Sequence, residues 1–445
     1  MKKYNYPPTT SMIENIYGQT FLKSDPLKIF AYQINKKKSK TFRINVPRFK
    51  LNYIVTQDPK LIEYVTQKNN KNYQKSELVV DTLGKYIGYG LLTNNGEDWL
   101  KQRRLIQPGF SKAKIELLSS AILDETKSVF ENATLNKEFD IYGLMNLLAF
   151  RIVARSLFGA SLSDEQLIIL CQKITHVQEV VTKEFSKPEA VWWMQLSGQI
   201  SKAKEISVEV IDTMKVVLAE RKKTTGEFSD LLSMLMDARY EDTGEPMTDE
   251  KLVDEMTVIF LAGHETTANA LSWIIYSLSK NPETKTKLIE EINYLQDTAC
   301  AIENLVKPSY AMACVNEGMR LFPPAWAMDR VTINDDQFEN YSWEKGTIII
   351  SNFYGLHHDP EFWDNPDKFD PERFLRSKKL PDNFFPFGAG PRMCIGNHFA
   401  LMEMVIVIRY LYSNFDFKLT QQRVKPLALV TLRPDSVKGI LTKKQ

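Results

Sequence analysis

From Asp58 to about Glu303 the apolar positions recur mostly at three- and four-residue spacing, which predicts helices. Ahead of that stretch, Phe42 to Val55 is rich in aromatic and β-branched residues and is interrupted near Pro47 and Arg48, so it predicts two short strands. The longest helical run is Asp249 to Lys280. Thr248 is placed to cap it, Asp249 and Glu250 suit its first turn, and Asn281-Pro282 stops it. About 32 residues at ~1.5 Å each give a rod of roughly 48 Å. Its faces are mostly apolar from Met256 to Leu278, so it is expected to be buried. Buried polar groups cost free energy unless partnered, which makes His264, Glu265, Thr266 and Thr267 in the middle of this run unusual. Two further helices are expected, Glu283 to Leu295 and Pro308 to Leu321, the second ended by Pro323-Pro324. Thr225 to Glu245 reads as connector, and Trp326 to Ser351 as strand. Leu356 to Phe385 is irregular but packed. A last long helix follows Cys394 to about Tyr412, and Leu427 to Leu441 resembles a hairpin. The pattern is mainly α with small β-sheets. It is read as one domain over residues 1–445, with an extended segment over about 1–20.

With 445 residues the chain can bury a large core and enclose a bulky ligand. A net charge of +2 gives no reason to expect nucleic acid. The cysteines Cys171, Cys300, Cys314 and Cys394 form neither a C-x-x-C pair nor a zinc-like spacing, so a reducing cytoplasm is expected. The start lacks the charged-then-apolar pattern of a leader, and no uncharged apolar run is long enough for a membrane span. Lys36, Lys37, Lys38 and Lys40 read as a solvated loop.

The segment Phe387-Gly388-Ala389-Gly390-Pro391-Arg392-Met393-Cys394-Ile395-Gly396 carries the strongest chemical signal. Glycines permit a tight loop that approaches another group closely. Delivering Cys394 to the start of a helix favours its thiolate, and Arg392 suits a carboxylate of something bound there. Such a cysteine is a metal ligand or a nucleophile; the alternative is a buried structural thiol. Glu317-x-x-Arg320 by itself is only a helical ion pair. In Ala262-Gly263-His264-Glu265-Thr266-Thr267, threonine hydroxyls can bond back to the carbonyl one turn earlier and bend the helix.

The cysteine loop resembles the ligand loop of the cytochrome P450 family, F-x-x-G-x-R-x-C-x-G, at every fixed position. The other motifs are similar in the order the family has them. Glu317-x-x-Arg320 with Arg373 resembles its structural lock on the cysteine loop. Ala262 to Thr266 resembles its oxygen-binding helix. Trp99-x-x-x-Arg103, Arg330 and Arg392 resemble contacts to the haem propionates. The resemblance implies a P450-type fold with an α-rich lobe and a smaller β-rich lobe, and haem b between the long helix and the loop. Cys394 would be the iron ligand, with Phe387 part of the haem-binding loop, and Glu265 and Thr266 would deliver protons for the activation of O2. It implies insertion of one oxygen atom into a C–H bond, with electrons from a ferredoxin or flavodoxin and its NAD(P)H-dependent reductase. A peroxide-driven relative and a non-catalytic haem carrier or sensor are the competing readings. His398 is expected on a helix surface, and His357-His358 in packing.

The substrate pocket is expected from Ser76 to Leu92, Val180 to Gly198 and Ala325 to Met328. The named lining residues are Val79, Val80, Trp192, Trp193, Met194, Ala325, Trp326, Ala327 and Met328. All are apolar, which implies an apolar substrate such as a fatty acid, terpenoid or carotenoid. Arg48 and Tyr53 are candidate anchors for a carboxylate.

Overall fold

The computed structural model describes residues 4–20, 25–46, 51–159, 161–186, 190–224, 230–297, 309–377 and 379–444. They divide into two compact units. Arg48 and Cys300 lie outside the described residues.

The first unit takes Met1–Ser76, Met319–Phe369 and Ser377–Cys394. Its five-stranded sheet has the order Thr41–Val46, Leu51–Thr56, Ile348–Asn352, Ala327–Thr332, Tyr73–Gln74. The first two strands are the pair predicted from Phe42 to Val55. They are antiparallel, with Phe42 opposite Val55. Leu51–Thr56 then runs parallel to Ile348–Asn352, a pairing between segments about three hundred residues apart. The side chains that made these segments look like strands fill the core: Ile54, Tyr73, Trp343 and Ile349 pack with Leu61 and Val65.

Two expectations fail in this unit. Residues 12–20 are not extended; Met12–Thr20 is a helix. Lys36 and Lys37 are not a solvated loop either. They form the last turn of helix Pro26–Lys37 and pair with Glu14 at 3.0 and 2.9 Å. Burial would raise the Glu14 carboxyl, but the Ser11 amide and the two lysines outweigh it and hold it down at about 2.

The second unit takes Glu77–Gly318, Asp370–Arg376 and Ile395–Gln445. Its axis is the helix Asp249–Lys280, with the predicted cap: the Thr248 hydroxyl accepts from the Lys251 amide at 3.3 Å. Helices Ile141–Phe158, Gln199–Lys223 and Asn397–Asn414 pack around it. Helix Ile141–Phe158 is long and apolar enough to cross a membrane by length and composition, yet most of it is buried within the fold. The connector expected over Thr225 to Glu245 contains a helix, Leu231–Asp237. Its cap, Asp230, is also the ion-pair partner of the buried Arg221 at 2.8 Å, so this short helix is pinned by a side chain that a periodicity reading does not see. At the C-terminus Pro426–Ala428 pairs with Leu432–Pro434 as a hairpin. Lys438–Lys443 leaves it to lie between Phe415–Leu419 and Glu138–Asp140.

Candidate active site: the cysteine loop and the long helix

The cysteine loop is a sequence of tight turns. The Met393 amide donates to the Gly390 carbonyl and the Cys394 amide to the Phe387 carbonyl, both at 3.0 Å. Gly388 and Gly390 take φ of 71° and 70°, the left-handed region that favours glycine. At Gly390 a second reason applies: a Cβ there would stand 1.9 Å from the Thr66 carbonyl oxygen. The helix does not begin at Cys394. It begins at Asn397, so the cysteine sits three residues before its first turn, exposed.

The entry to the loop is tied down by a residue the sequence left in packing. The His357 Nε2 accepts from the Phe385 amide at 3.0 Å, and the His357 carbonyl accepts from Arg320 at 2.6 Å. Arg320 also donates to the Lys368 carbonyl at 3.2 Å and lies over the Trp363 ring. Burial, reinforced by Arg320, keeps His357 well below the usual histidine range, so its Nε2 stays a neutral acceptor. In the second unit Glu317, fully buried, accepts from Arg373 Nε at 3.1 Å and from the Asp370 amide at 2.9 Å. Arg373 thus joins the buried Glu317, and Arg320 reaches the His357 and Lys368 carbonyls.

Arg330 is buried on strand Ala327–Thr332 and donates to the Asp329 carbonyl at 2.7 Å. Arg392 and Lys75 gather near it. Burial and then repulsion from Arg330 pull Arg392 down to about 9. Burial, Arg330 and Arg392 pull Lys75 down to about 7. Burial pulls Arg330 down to about 10. Three cationic side chains gathered here, with the Asp329 carboxylate beside them, can seat a further anion, whose charge would raise all three. Lys75 was missed because a lone lysine after Gln74 has no pattern around it. Trp99 is buried in helix Gly96–Ile106, and Arg103 on the same helix donates to Gln107 Oε1 at 3.2 Å. An exposed thiol in a close-approach loop beside a cationic seat fits an iron porphyrin, which would take a sulfur donor for its iron and cationic partners for its two carboxylates.

In the long helix the hydroxyls of Thr266 and Thr267 donate to the carbonyls of Ala262 and Gly263, each at 3.0 Å. Gly263 permits close approach of a second helix, since a Cβ there would stand 3.1 Å from Val153. Glu265 turns to the C-terminal hairpin, where its Oε1 accepts from the Thr431 hydroxyl at 2.6 Å. Burial raises its carboxyl above the ordinary range, while Thr431 and Arg433 pull against that rise. His264 is fully buried, and its Nδ1 donates to the Phe260 carbonyl at 3.2 Å. Burial lowers it to about 4, so it is neutral beside Glu265.

The profile of the cytochrome P450 family matches residues 7–440. The chain belongs to the cytochrome P450 family. It is 28% identical over 358 residues to the cyclooctat-9-en-7-ol 5-monooxygenase of Streptomyces melanosporofaciens, covering 80% of this chain and 76% of that protein. It is 29% identical to cytochrome P450 3A6 of Oryctolagus cuniculus, covering 84% and 79%. The haem domain of cytochrome P450DA superposes with a TM-score of 0.87 at 21% identity, over 100% of this chain and 99% of that one. The fold class expected from the sequence is therefore observed, and the protein is a haem-dependent P450 monooxygenase.

The expected pocket segments divide. Val79, Leu92, Val180 and Met194 join one apolar cluster with Leu83, Tyr86, Val177 and Val258. Trp192 and Trp193 do not join it: they are 63% and 58% exposed and meet edge to face. Trp326 packs on Phe30 in the core of the first unit, and Met328 packs on the cluster of Ile62, Phe353 and Phe385 under the cysteine loop. Tyr53 is half-buried, and burial together with Asp329 raises its hydroxyl. His398 is exposed on its helix.

Proposed function

We propose that this P450 hydroxylates an apolar substrate, with Cys394 as the thiolate ligand of haem b. The observation that carries the reading is the cysteine loop itself: turns closed by the Gly390 and Phe387 carbonyls present the sulfur in a fixed position beside Arg392. Lys75, Arg330 and Arg392 would hold propionate, with Trp99 and Arg103 as further donors. When bound, the haem supplies activation of O2, and a thiolate donor favours cleavage of the O–O bond.

The protein's own part is the handling of protons. Thr266 can turn its hydroxyl hydrogen away from the Ala262 carbonyl to donate to oxygen, or keep that bond and accept. Glu265, whose carboxyl burial raises, can take up a proton and pass it on. The apolar cluster around Val79, Leu92, Met194 and Val258 would exclude water and accept a hydrocarbon surface. A fatty acid, terpenoid or carotenoid suits it, and the cyclooctat-9-en-7-ol named for the Streptomyces relative is mostly hydrocarbon. Electrons would come from a ferredoxin or flavodoxin and its NAD(P)H-dependent reductase. A reducing cytoplasm suits Cys171, Cys314 and Cys394, which form no disulfide among the described residues.

The test is the absorption spectrum of the reduced protein under carbon monoxide. Thiolate ligation predicts a strongly red-shifted Soret band. Cys394→Ala should abolish that band, and its survival in the variant would overturn the assignment.

A further inference from the structure

Glu265 is one member of a line of three side chains along a single helix face. Glu265, Asn269 and Trp273 are spaced by four residues; the first two bond to Thr431 and the third to its neighbour Leu432 in the C-terminal hairpin. Trp273 Nε1 donates to the Leu432 carbonyl at 3.2 Å, which fixes the hairpin backbone. Asn269 Nδ2 donates to the Thr431 hydroxyl oxygen at 2.9 Å. Asn269 is fully buried, and its Oδ1 has no partner among the described residues. With one lone pair taken by Asn269, the Thr431 hydroxyl is left to donate, and it donates to Glu265 Oε1 at 2.6 Å. That bond takes up Oε1 and leaves Oε2 outside it.

We propose that Thr431, held from behind by Asn269, is a positioning residue for proton delivery: it ties down one oxygen of Glu265 and leaves Oε2 as the atom that exchanges the proton. This rests on the reading of Glu265 as a proton carrier. Thr431 lies 166 residues from Glu265, outside every motif that points to the reaction. Proton exchange at one oxygen needs the other held still, since a carboxyl that rotates loses its alignment with both donor and acceptor. The charged and titratable groups near Glu265 are few. Arg433, on the hairpin, favours the anion. Tyr142, which Arg433 overlies, is itself pushed up to about 12 by burial, with the Glu265 charge next and Asp140 a smaller cause. His264 stays neutral.

The experiment is an infrared titration of the carboxyl band in the full haem-loaded chain, assigned by its disappearance in Glu265→Gln. Removing a hydrogen-bond donor from a carboxylate should displace its titration upward by about one pH unit. Thr431→Val should show that displacement and a broadened band; Thr431→Ser should restore both. Asn269→Leu, which frees the threonine hydroxyl to rotate, should broaden the band and shift it less. A titration in Thr431→Val that overlays the unaltered protein would overturn the proposal, as would a Thr431→Ser protein that behaves like the valine variant. If Thr431→Val fails to fold, the serine and leucine variants decide it by the same two readings. Failure of the underlying reading looks different: Glu265→Gln would keep NAD(P)H use coupled to product while the infrared result stood.

Discussion

Gly390→Ala offers the sharpest test of the loop geometry, because it adds one methyl group at a position with two separable penalties. The first is conformational. At φ 70° an L-residue pays about 1–2 kcal/mol for bringing its Cβ against its own backbone. The second is steric. The added Cβ would stand 1.9 Å from the Thr66 carbonyl oxygen and 2.8 Å from its carbon. A carbon normally stands about 3.3–3.6 Å from such an oxygen, so the two backbones must part by about 1.5 Å. Neither yields easily. Gly390 is held by the turn to Met393, and Thr66 sits in a helical turn with its own hydroxyl donating to the Ile62 carbonyl at 2.7 Å. Overpacking of this kind adds about 1–3 kcal/mol, for a total of roughly 2–5 kcal/mol. Gly346→Ala is the control: its φ is 81° and a Cβ there meets nothing within 4 Å, so it carries the first penalty alone. The assay is the urea midpoint of each variant at unchanged slope, with the carbon monoxide band measured per mole of protein. The expected result is a deficit for Gly390→Ala of about 1–3 kcal/mol beyond Gly346→Ala, with loss of the band. Equal midpoints would refute the claim that this glycine is required by Thr66.

Two further predictions concern the long helix. Thr266→Ala should lower product formation by about a hundredfold, the lower end of what a placed proton donor contributes. NAD(P)H use should fall far less and reappear as peroxide; full coupling in the variant would remove Thr266 from proton delivery. Glu255 is fully buried, where burial raises its carboxyl to about 7 against the Leu91 amide and Gln102, which donate to it. Its folded form therefore holds a proton that the unfolded chain releases near pH 4.5, so stability falls as pH rises from 4.5 to about 7 and is level above that. Glu255→Gln should remove up to about 3 kcal/mol of that decline. The measurement is the urea midpoint across the window, and parallel curves for the two proteins would count against it.

Much of this protein can be read without a structure. Periodicity located the helix Asp249–Lys280, because a buried rod must be apolar on most faces and its ends need a cap and a stop. The β-branched content of Phe42 to Val55 located a strand pair for a similarly local reason. Cys394 stood out because a glycine-rich turn before a helix has few uses. Other features depend on partners far along the chain, and no local pattern encodes them. The sequence shows a helix Glu-x-x-Arg pair but not that Glu317 also takes Arg373 and the Asp370 amide, or that Arg320 also reaches the His357 carbonyl. Trp192 and Trp193 have the chemistry of a pocket lining; whether such residues are buried depends on what packs against them, and here they are exposed. Lys75 became part of a cationic seat only when the sheet brought it to Arg330 and Arg392. Thr431 became the partner of Glu265 only when Trp273 fixed the hairpin against the helix. Residue types and their spacing determine which chemistry is available, because local backbone geometry follows from neighbours in the chain. Which oxygen of a carboxyl is held, and by what, is decided by long-range packing, because a hydrogen bond depends on distance in space and is indifferent to distance in sequence.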